Sequence, residues 1–358
     1  MSDFLAAACP VLGKRLPKVA IADLPTPVSA HMLTLPAGNF GVFVKHDEAT
    51  SSLYGGNKVR KLEYLLQRAK DRGARRVATF GAAGSNHALA TAMHATALDF
   101  DCTCFLSHQR ATANIPRTLN MHRQLGTEVV AWGRENRLSQ YRQYLQHRNA
   151  WVIPLGGTCW LGAVGFVNAG LELAQQVADG LLPVPERIYI ACGTTGSAAG
   201  LAVGLAAAGL DTVVHAIQVA DNPFASEQMM RKLVAKTQTL LNRLDANFVG
   251  NNAQERVVWR DAFLAGGYAK VDAATASAVS TADQQLGLAL ESTYTGKALA
   301  AMLEDLQASD YEGEPYLFWN TYNASTLRVD SGRPDSLDNI PAEFARYYDQ
   351  DMRVDLNQ

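Results

Sequence analysis

The chain has little net charge: 32 Lys and Arg stand against 34 Asp and Glu, leaving −2. That balance gives no reason to expect nucleic acid or an anionic membrane as a partner. Long hydrophobic runs are missing too; stretches such as 198–210 are too short and too rich in Gly and Ala to span a bilayer. Residues 1–18 hold no basic stretch ahead of their short apolar run, which argues against a secretory signal. Cysteine is sparse: Cys9, Cys102, Cys104, Cys159 and Cys192 are five, an odd number, with no CxxC pair. Reduced thiols in a cytoplasmic protein fit that pattern better than disulfides or a zinc site. GxGxxG and a GK[ST]-closed loop are both absent, which weakens dinucleotide and ATP readings. No internal repeat or low-complexity tract occurs. What is present is ordinary globular material: 358 residues, 48% hydrophobic and 18% charged, enough for roughly two domains with a large core.

Residues 1–35 read as a loop-rich lead-in, with Leu24-Pro25-Thr26-Pro27 stiffened by proline. A first series of strands follows at 40–45, 76–80, 101–107 and 128–131, with helices at 58–71, 86–97, 115–125 and 137–147. The second series has strands at 151–153, 187–191, 213–219 and 316–319. Its helices fall at 163–179, 193–208, 227–246, 254–265, 272–286 and 297–307. Strands alternating with helices of about a dozen residues signal a parallel sheet and an α/β fold. The segment after about Val329 is polar and weakly patterned, and its role is unread.

Three stretches carry chemistry on their residues alone. In Gly55-Gly56-Asn57-Lys58, two glycines permit a tight turn, and Asn57 is placed to cap the amphipathic helix that runs through Leu62, Leu65, Leu66 and Ala69. Lys58 therefore stands at a helix N-terminus, where the local field disfavours an ammonium and favours a nucleophilic amine. Read alone, the turn is equally a basic surface patch of Lys58, Arg60 and Lys61. In Phe80-Gly81-Ala82-Ala83-Gly84-Ser85-Asn86-His87, a strand, a glycine loop and a helix start offer N–H groups to an anion, and a carboxylate suits Ser85 and Asn86. Ser85 as a plain helix cap is compatible with that role. The run Cys192-Gly193-Thr194-Thr195-Gly196-Ser197 is the best phosphate cradle, sized for a small monophosphate; a ligand-free turn is the alternative.

The words GGNKVRKLEYLL, GAAGSNH, PLGGTCWLGAVGF and ACGTTGSAAG, with Gly267-Tyr268, Thr293-Tyr294-Thr295 and Asn320-Thr321 beyond them, resemble one family in order from about Leu24 to Asn323. It is the D-cysteine desulfhydrase and 1-aminocyclopropane-1-carboxylate deaminase family of pyridoxal-phosphate enzymes. The resemblance implies a tryptophan-synthase-β-like fold of two three-layer α/β/α domains with mostly parallel sheets and the cofactor in the cleft between them. A smaller domain, 50–165, would be inserted into a larger one made of 1–49 and 166–358.

The resemblance further implies that Lys58 carries pyridoxal 5′-phosphate covalently and serves as the base at Cα. Gly193, Thr194, Thr195, Gly196 and Ser197 would hold the phosphate. Ser85 would meet the substrate carboxylate and share in proton transfer, Asn86 would contact the cofactor's phenolic oxygen, and His87 would stand at or just behind the substrate. Tyr294 and Tyr268 match the active-site tyrosines, and Thr321 matches the partner of the pyridine nitrogen. Relatives carry Glu where this chain has Thr295 when they open the aminocyclopropane ring. They often carry Gln where it has Gly84, Ser-Asn for Thr158-Cys159, Gly-x-Pro-Asn for residues 269–272 and Gly-Gly for Tyr322-Asn323. Cys159 reads as an inert thiol. The implied activity is α,β-elimination from a small D-amino acid such as D-cysteine or an analogue, giving keto acid, ammonia and the leaving group. Ring opening of aminocyclopropane carboxylate, β-replacement and a silent ligand-binding homologue are the rivals. A homodimer without metal is the expected state.

Overall fold

The computed structural model describes residues 3–133, 144–250, 252–308, 311–323, 331–334 and 336–349. The chain divides into two compact units, 1–64 with 158–324, and 65–157 with the described parts of 325–358. The boundary at 157/158 falls inside the glycine-rich segment Leu155-Gly156-Gly157-Thr158. The sequence reading placed the C-terminal residues in the larger unit, whereas here they cluster with the smaller one.

The larger unit is built on a six-stranded sheet in the order β1 (Val28–Leu35), β2 (Gly38–His46), β10 (Tyr316–Asn320), β7 (Arg187–Cys192), β8 (Val213–Gln218) and β9 (Val257–Arg260). Only β1 runs antiparallel, in a hairpin with β2; the other pairings are parallel. Strand alternation divides the side chains between the two faces. Phe40, Val42, Val44, Tyr189, Ala191, Ile217 and Phe318 point into one core with helices α9 (Ala273–Thr281) and α10 (Thr295–Leu306). On the other face Trp319 meets Phe166 of α6 (Trp160–Ala178), with ring centroids 6.1 Å apart. Helix α7 (Gly196–Ala207) lies against α6 with backbone touching backbone. A Cβ on Gly200 would fall 2.1 Å from Ala163 O, and one on Gly204 would fall 2.4 Å from Val167 O. Helices α1 (Phe4–Ala8), α2 (Pro10–Arg15) and α8 (Glu227–Leu244) complete this unit.

The smaller unit holds a parallel sheet ordered β5 (Glu128–Trp132), β4 (Asp101–Ser107), β3 (Arg76–Ala82) and β6 (Trp151–Val152). Helices α4 (Asn86–Ala97) and α5 (Ile115–Gln124) belong to it, while α3 (Lys58–Asp71) spans the boundary between units.

Three expectations need correction. The lead-in is less loop-rich than its prolines suggested, because 28–35 pairs along its whole length with β2. The helix expected at 254–265 is a short 3₁₀ turn, the strand β9 and a second 3₁₀ turn. Val257, Val258 and Trp259 are β-branched or aromatic, and pairing with β8 overrode a weak helical period. The expected helix 272–286 is α-helical only to Thr281 and continues as a π-type turn to Leu286, where Gly287 ends it at φ 66°. The helix expected at 137–147 falls mostly outside the described residues. Among the described residues no helix is long and apolar enough to cross a membrane, and no metal-binding cluster of His, Cys, Asp and Glu occurs.

Candidate active site

At the C-terminal ends of β2, β10 and β7 the larger unit gathers most of the residues picked out above. The turn before α3 is pressed against main chain. A Cβ on Gly55 would lie 2.0 Å from Glu48 O, and Gly56 holds φ 92°, so both positions require glycine. The Asn57 N–H donates to Thr321 O at 3.3 Å, which joins the lysine turn to the end of β10. The Asn57 oxygen, expected to cap the helix, instead accepts from Lys58 Nζ at 2.7 Å. Its amide donates to Ser197 Oγ at 3.1 Å. One asparagine thus joins the candidate nucleophile to the candidate phosphate loop.

That loop runs from Cys192 at the end of β7 to Gly196 at the start of α7. Thr195 sits at the N-cap in the left-handed region, φ 64°, and makes no side-chain cap bond. Thr195 thus gives the first turn of α7 no side-chain cap, the Gly196 N–H bonds to Thr194 O at 2.8 Å, and the helix start keeps its partial positive charge. Thr158 Oγ1 donates to Thr194 Oγ1 at 2.8 Å. A Cβ on Gly196 would stand 3.0 Å from both Lys61 Nζ and Thr158 Oγ1, so Gly196 leaves a cradle lined by an amine and hydroxyls.

Sequence reasoning missed Lys61. It lies one helical turn after Lys58, is buried, and reaches within 5.9 Å of the Phe166 ring. Burial, then the neighbouring Lys58, push its pKa well down from the ordinary value. Burial likewise lowers the Lys58 amine to about 8, against the opposing pull of Glu291. Burial raises the Cys192 thiol to about 12, so it supplies no anion there at neutral pH. Two amines and an uncapped helix end ask for a dianion, which a monoester phosphate provides. The residues present fit a pyridoxal-phosphate cofactor.

Arg60 does not form the surface patch that its neighbours suggested. It is fully buried and donates to both carboxylate oxygens of Asp47 and, through Nη1, to Glu172 Oε2 at 2.7 Å. Lys45 Nζ donates to Glu172 Oε1 at 2.5 Å and Gln176 Oε1 at 2.7 Å. Burial alone would raise the Glu172 pKa, but Arg60 and Lys45 hold it down to about 2. Two cations and two anions close this network, and Arg60 ties it to α3 two residues after Lys58.

Tyr268 and Tyr294 are brought together, with hydroxyls 2.5 Å apart and rings edge-on. Burial raises the pKa of each from the usual phenol value. Tyr294 precedes α10, whose first turn is capped by Glu291. That carboxylate accepts the N–H groups of Thr293, Tyr294 and Thr295, and the Thr295 hydroxyl at 3.0 Å. Its signal was a carboxylate just ahead of a helix start. Lys297 is buried and donates to Leu264 O at 2.7 Å and Gly267 O at 3.2 Å, which fixes the loop that carries Tyr268. Ala269, where relatives have glycine, adopts φ 57°.

In the smaller unit, Ser85 caps α4 by accepting the Ala88 N–H at 3.2 Å. Gly81 makes room for it, since a Cβ there would lie 2.6 Å from Ser85 Cβ. Asn86 opens the helix. His87 is buried, its Nε2 2.9 Å from Thr79 Oγ1; that hydroxyl donates to Ile153 O, so the imidazole N–H is the donor. His87 is thus engaged with its own sheet. Cys159 is a helix cap, Sγ accepting from Gly162 N at 3.5 Å.

A parallel-sheet enzyme with an electropositive phosphate cradle beside a softened lysine defines a class, and comparison with known proteins agrees. The sequence profile described as "Pyridoxal-phosphate dependent enzyme" matches residues 20–321. The chain belongs to that family, and its fold is that of the type II pyridoxal-phosphate enzymes. It is 31% identical over 340 residues to a D-cysteine desulfhydrase of Klebsiella pneumoniae subsp. pneumoniae, covering 87% of this chain and 96% of that protein. A D-cysteine desulfhydrase of Salmonella choleraesuis is 31% identical over 326 residues, with the same shares of each chain. Among solved structures, an ACC deaminase homologue superposes with TM-score 0.72 at 28% identity, covering 91% of this chain and 96% of that one. The protein is a pyridoxal-phosphate-dependent enzyme of the D-cysteine desulfhydrase and ACC deaminase-like group.

Proposed function

We propose that the enzyme is a lyase acting by α,β-elimination on a small D-amino acid that bears a thiol or similar leaving group, releasing keto acid and ammonia. The observation that carries this reading is the Lys58–Asn57–Ser197 chain, which ties a lysine of lowered pKa to the phosphate cradle. Lys58, Gly193, Thr194, Thr195, Gly196 and Ser197 would hold the cofactor, with the Lys61 amine placed to donate to the phosphate. When bound, the cofactor supplies a sink for the electron pair left at Cα. An amine near pKa 8 is poised to take the Cα proton and hand it on at neutral pH. Ser85 and Asn86 would bind the substrate carboxylate, and the hydrogen-bonded Tyr268–Tyr294 pair would hold a proton at the leaving group.

Ring opening of aminocyclopropane carboxylate is the weaker reading. The Thr295 hydroxyl is committed to Glu291, which leaves Thr321 as the hydroxyl proposed to face the pyridine nitrogen. A neutral partner there suits departure of a β-group soon after proton loss. The test is to reduce the purified protein with borohydride, map the label, and screen D- and L-amino acids with β-leaving groups for keto acid release. Label on Lys58 with turnover of a D-thiol substrate is expected. Efficient aminocyclopropane deamination with no β-elimination from any substrate would overturn the assignment.

A further inference from the structure

Gly84 stands beside Ser85, yet its backbone does not require glycine, since its φ lies outside the left-handed region. What crowds a side chain there is its surroundings. A Cβ on Gly84 would fall 3.0 Å from Ile115 Cγ1 and 3.4 Å from Gln109 Nε2. The Gln109 Oε1 accepts the Gly84 N–H at 3.2 Å. A side-chain amide therefore already fills the space that residue 84 vacates, delivered from the segment after β4.

Gln109 is itself held by one hydroxyl. Tyr347 Oη accepts from the Gln109 N–H at 2.9 Å and donates to Gln109 O at 3.0 Å, which satisfies both main-chain groups of that residue. Tyr347 is 3% exposed and lies in the 3₁₀ turn Ala342–Tyr348 with buried Phe344 and Tyr348. Tyr348 donates to Asn120 Oδ1 at 2.8 Å, and the His108 ring lies 4.9 Å from Phe344 and 5.8 Å from Tyr347. All of these contacts lie within the smaller unit.

We propose that Gln109, clamped by Tyr347 of the C-terminal turn, is a positioning residue for the Ser85 loop and sets its readiness for an amino-acid carboxylate. The inference rests on the reading that this loop receives the substrate carboxylate. A loop fixed before substrate arrives has less freedom to lose on binding, so removing the clamp moves KM more than kcat. The C-terminal turn thereby gains a task at the site, although it contains none of the family blocks.

The experiment uses the full chain as purified. In Gln109→Ala, exchange of the Gly84 amide accelerates about 10-fold or more. KM rises about 10-fold with kcat within about 2-fold, and the label on Lys58 is retained. Tyr347→Phe, which keeps the ring packing, shifts both readouts the same way by less. Gly84→Gln alone raises KM, because two amides compete for one space. Combined with Gln109→Ala it restores KM towards wild type, a rescue that a merely structural role would not give. Unchanged Gly84 exchange in both Gln109→Ala and Tyr347→Phe, or a double variant no better than Gln109→Ala, overturns the proposal. An unlabelled Lys58 in the wild-type chain would instead overturn the lyase reading, and the exchange data would still decide the clamp.

Discussion

The turn at Ser85 and the turn at Thr195 each join a parallel strand to the N-terminus of a helix, and they are finished in opposite ways. Ser85 has extended backbone and spends its hydroxyl on the Ala88 N–H, so its helix caps itself. Thr195 has left-handed backbone, makes no cap bond, and leaves the start of its helix to whatever binds there. Buried Lys61 lies at the uncapped end, beside Gly196. The difference is one of demand. In the proposed function the uncapped end, in a buried electropositive place, would hold a permanent dianion, and the self-capped end a carboxylate that arrives and leaves each turnover.

Exchanging the two roles is the hardest test of that contrast. Gly196→Leu forces a side chain onto Lys61 Nζ and Thr158 Oγ1, and should weaken cofactor retention about 100-fold, the worth of a few lost charge-assisted bonds, measured by absorbance after dialysis. Ser85→Ala should keep the cofactor and lower turnover about 10- to 100-fold, the scale of one lost proton-transfer or binding group. If Ser85→Ala sheds the cofactor while Gly196→Leu retains it, the comparison is inverted. A smaller effect concerns pH. With Lys58 held at about 8, acetylation of Lys58 in cofactor-free protein should rise with pH and level off above about pH 8, because only the neutral amine reacts. A midpoint near the ordinary 10.5 would remove the reason for placing the amine at the cradle.

The smallest effects are on stability. Ser85→Ala should cost about 1 kcal/mol through loss of the cap, and Thr195→Gly in cofactor-free protein should gain about 1 kcal/mol by relieving a left-handed threonine, both read from denaturant midpoints. Away from both loops, the Glu172 carboxylate is held at about 2, below its ordinary 4.5, so its contribution is present above pH 4.5 and is lost as pH falls towards 2. Glu172→Gln should flatten acid unfolding in that window.

Much of this was legible in the residues. Lys58, the 193–197 loop and the Ser85 loop are local patterns in which glycine, hydroxyls and a helix start coincide within a few positions. The core strands announced themselves by β-branched and aromatic runs between turns. What stayed hidden depends on partners far along the chain. Arg60 read as a surface cation because Asp47 and Glu172, 13 and 112 positions away, are not adjacent to it in sequence. Gln109 gave no signal, since its meaning lies in the space beside Gly84 and in Tyr347. Strand β9 was taken for a helix because an edge pairing, invisible locally, settled a short ambiguous run.

The close crossing of α6 and α7 also sets a measure. Their contact is main chain on main chain at Gly200 and Gly204, so no side chain stands between them to be trimmed or enlarged. Thr158 and Thr194, which face each other across the cradle, stand just ahead of these two helices and inherit their spacing. The aperture proposed for the phosphate is thus a ruled length rather than an adjustable one.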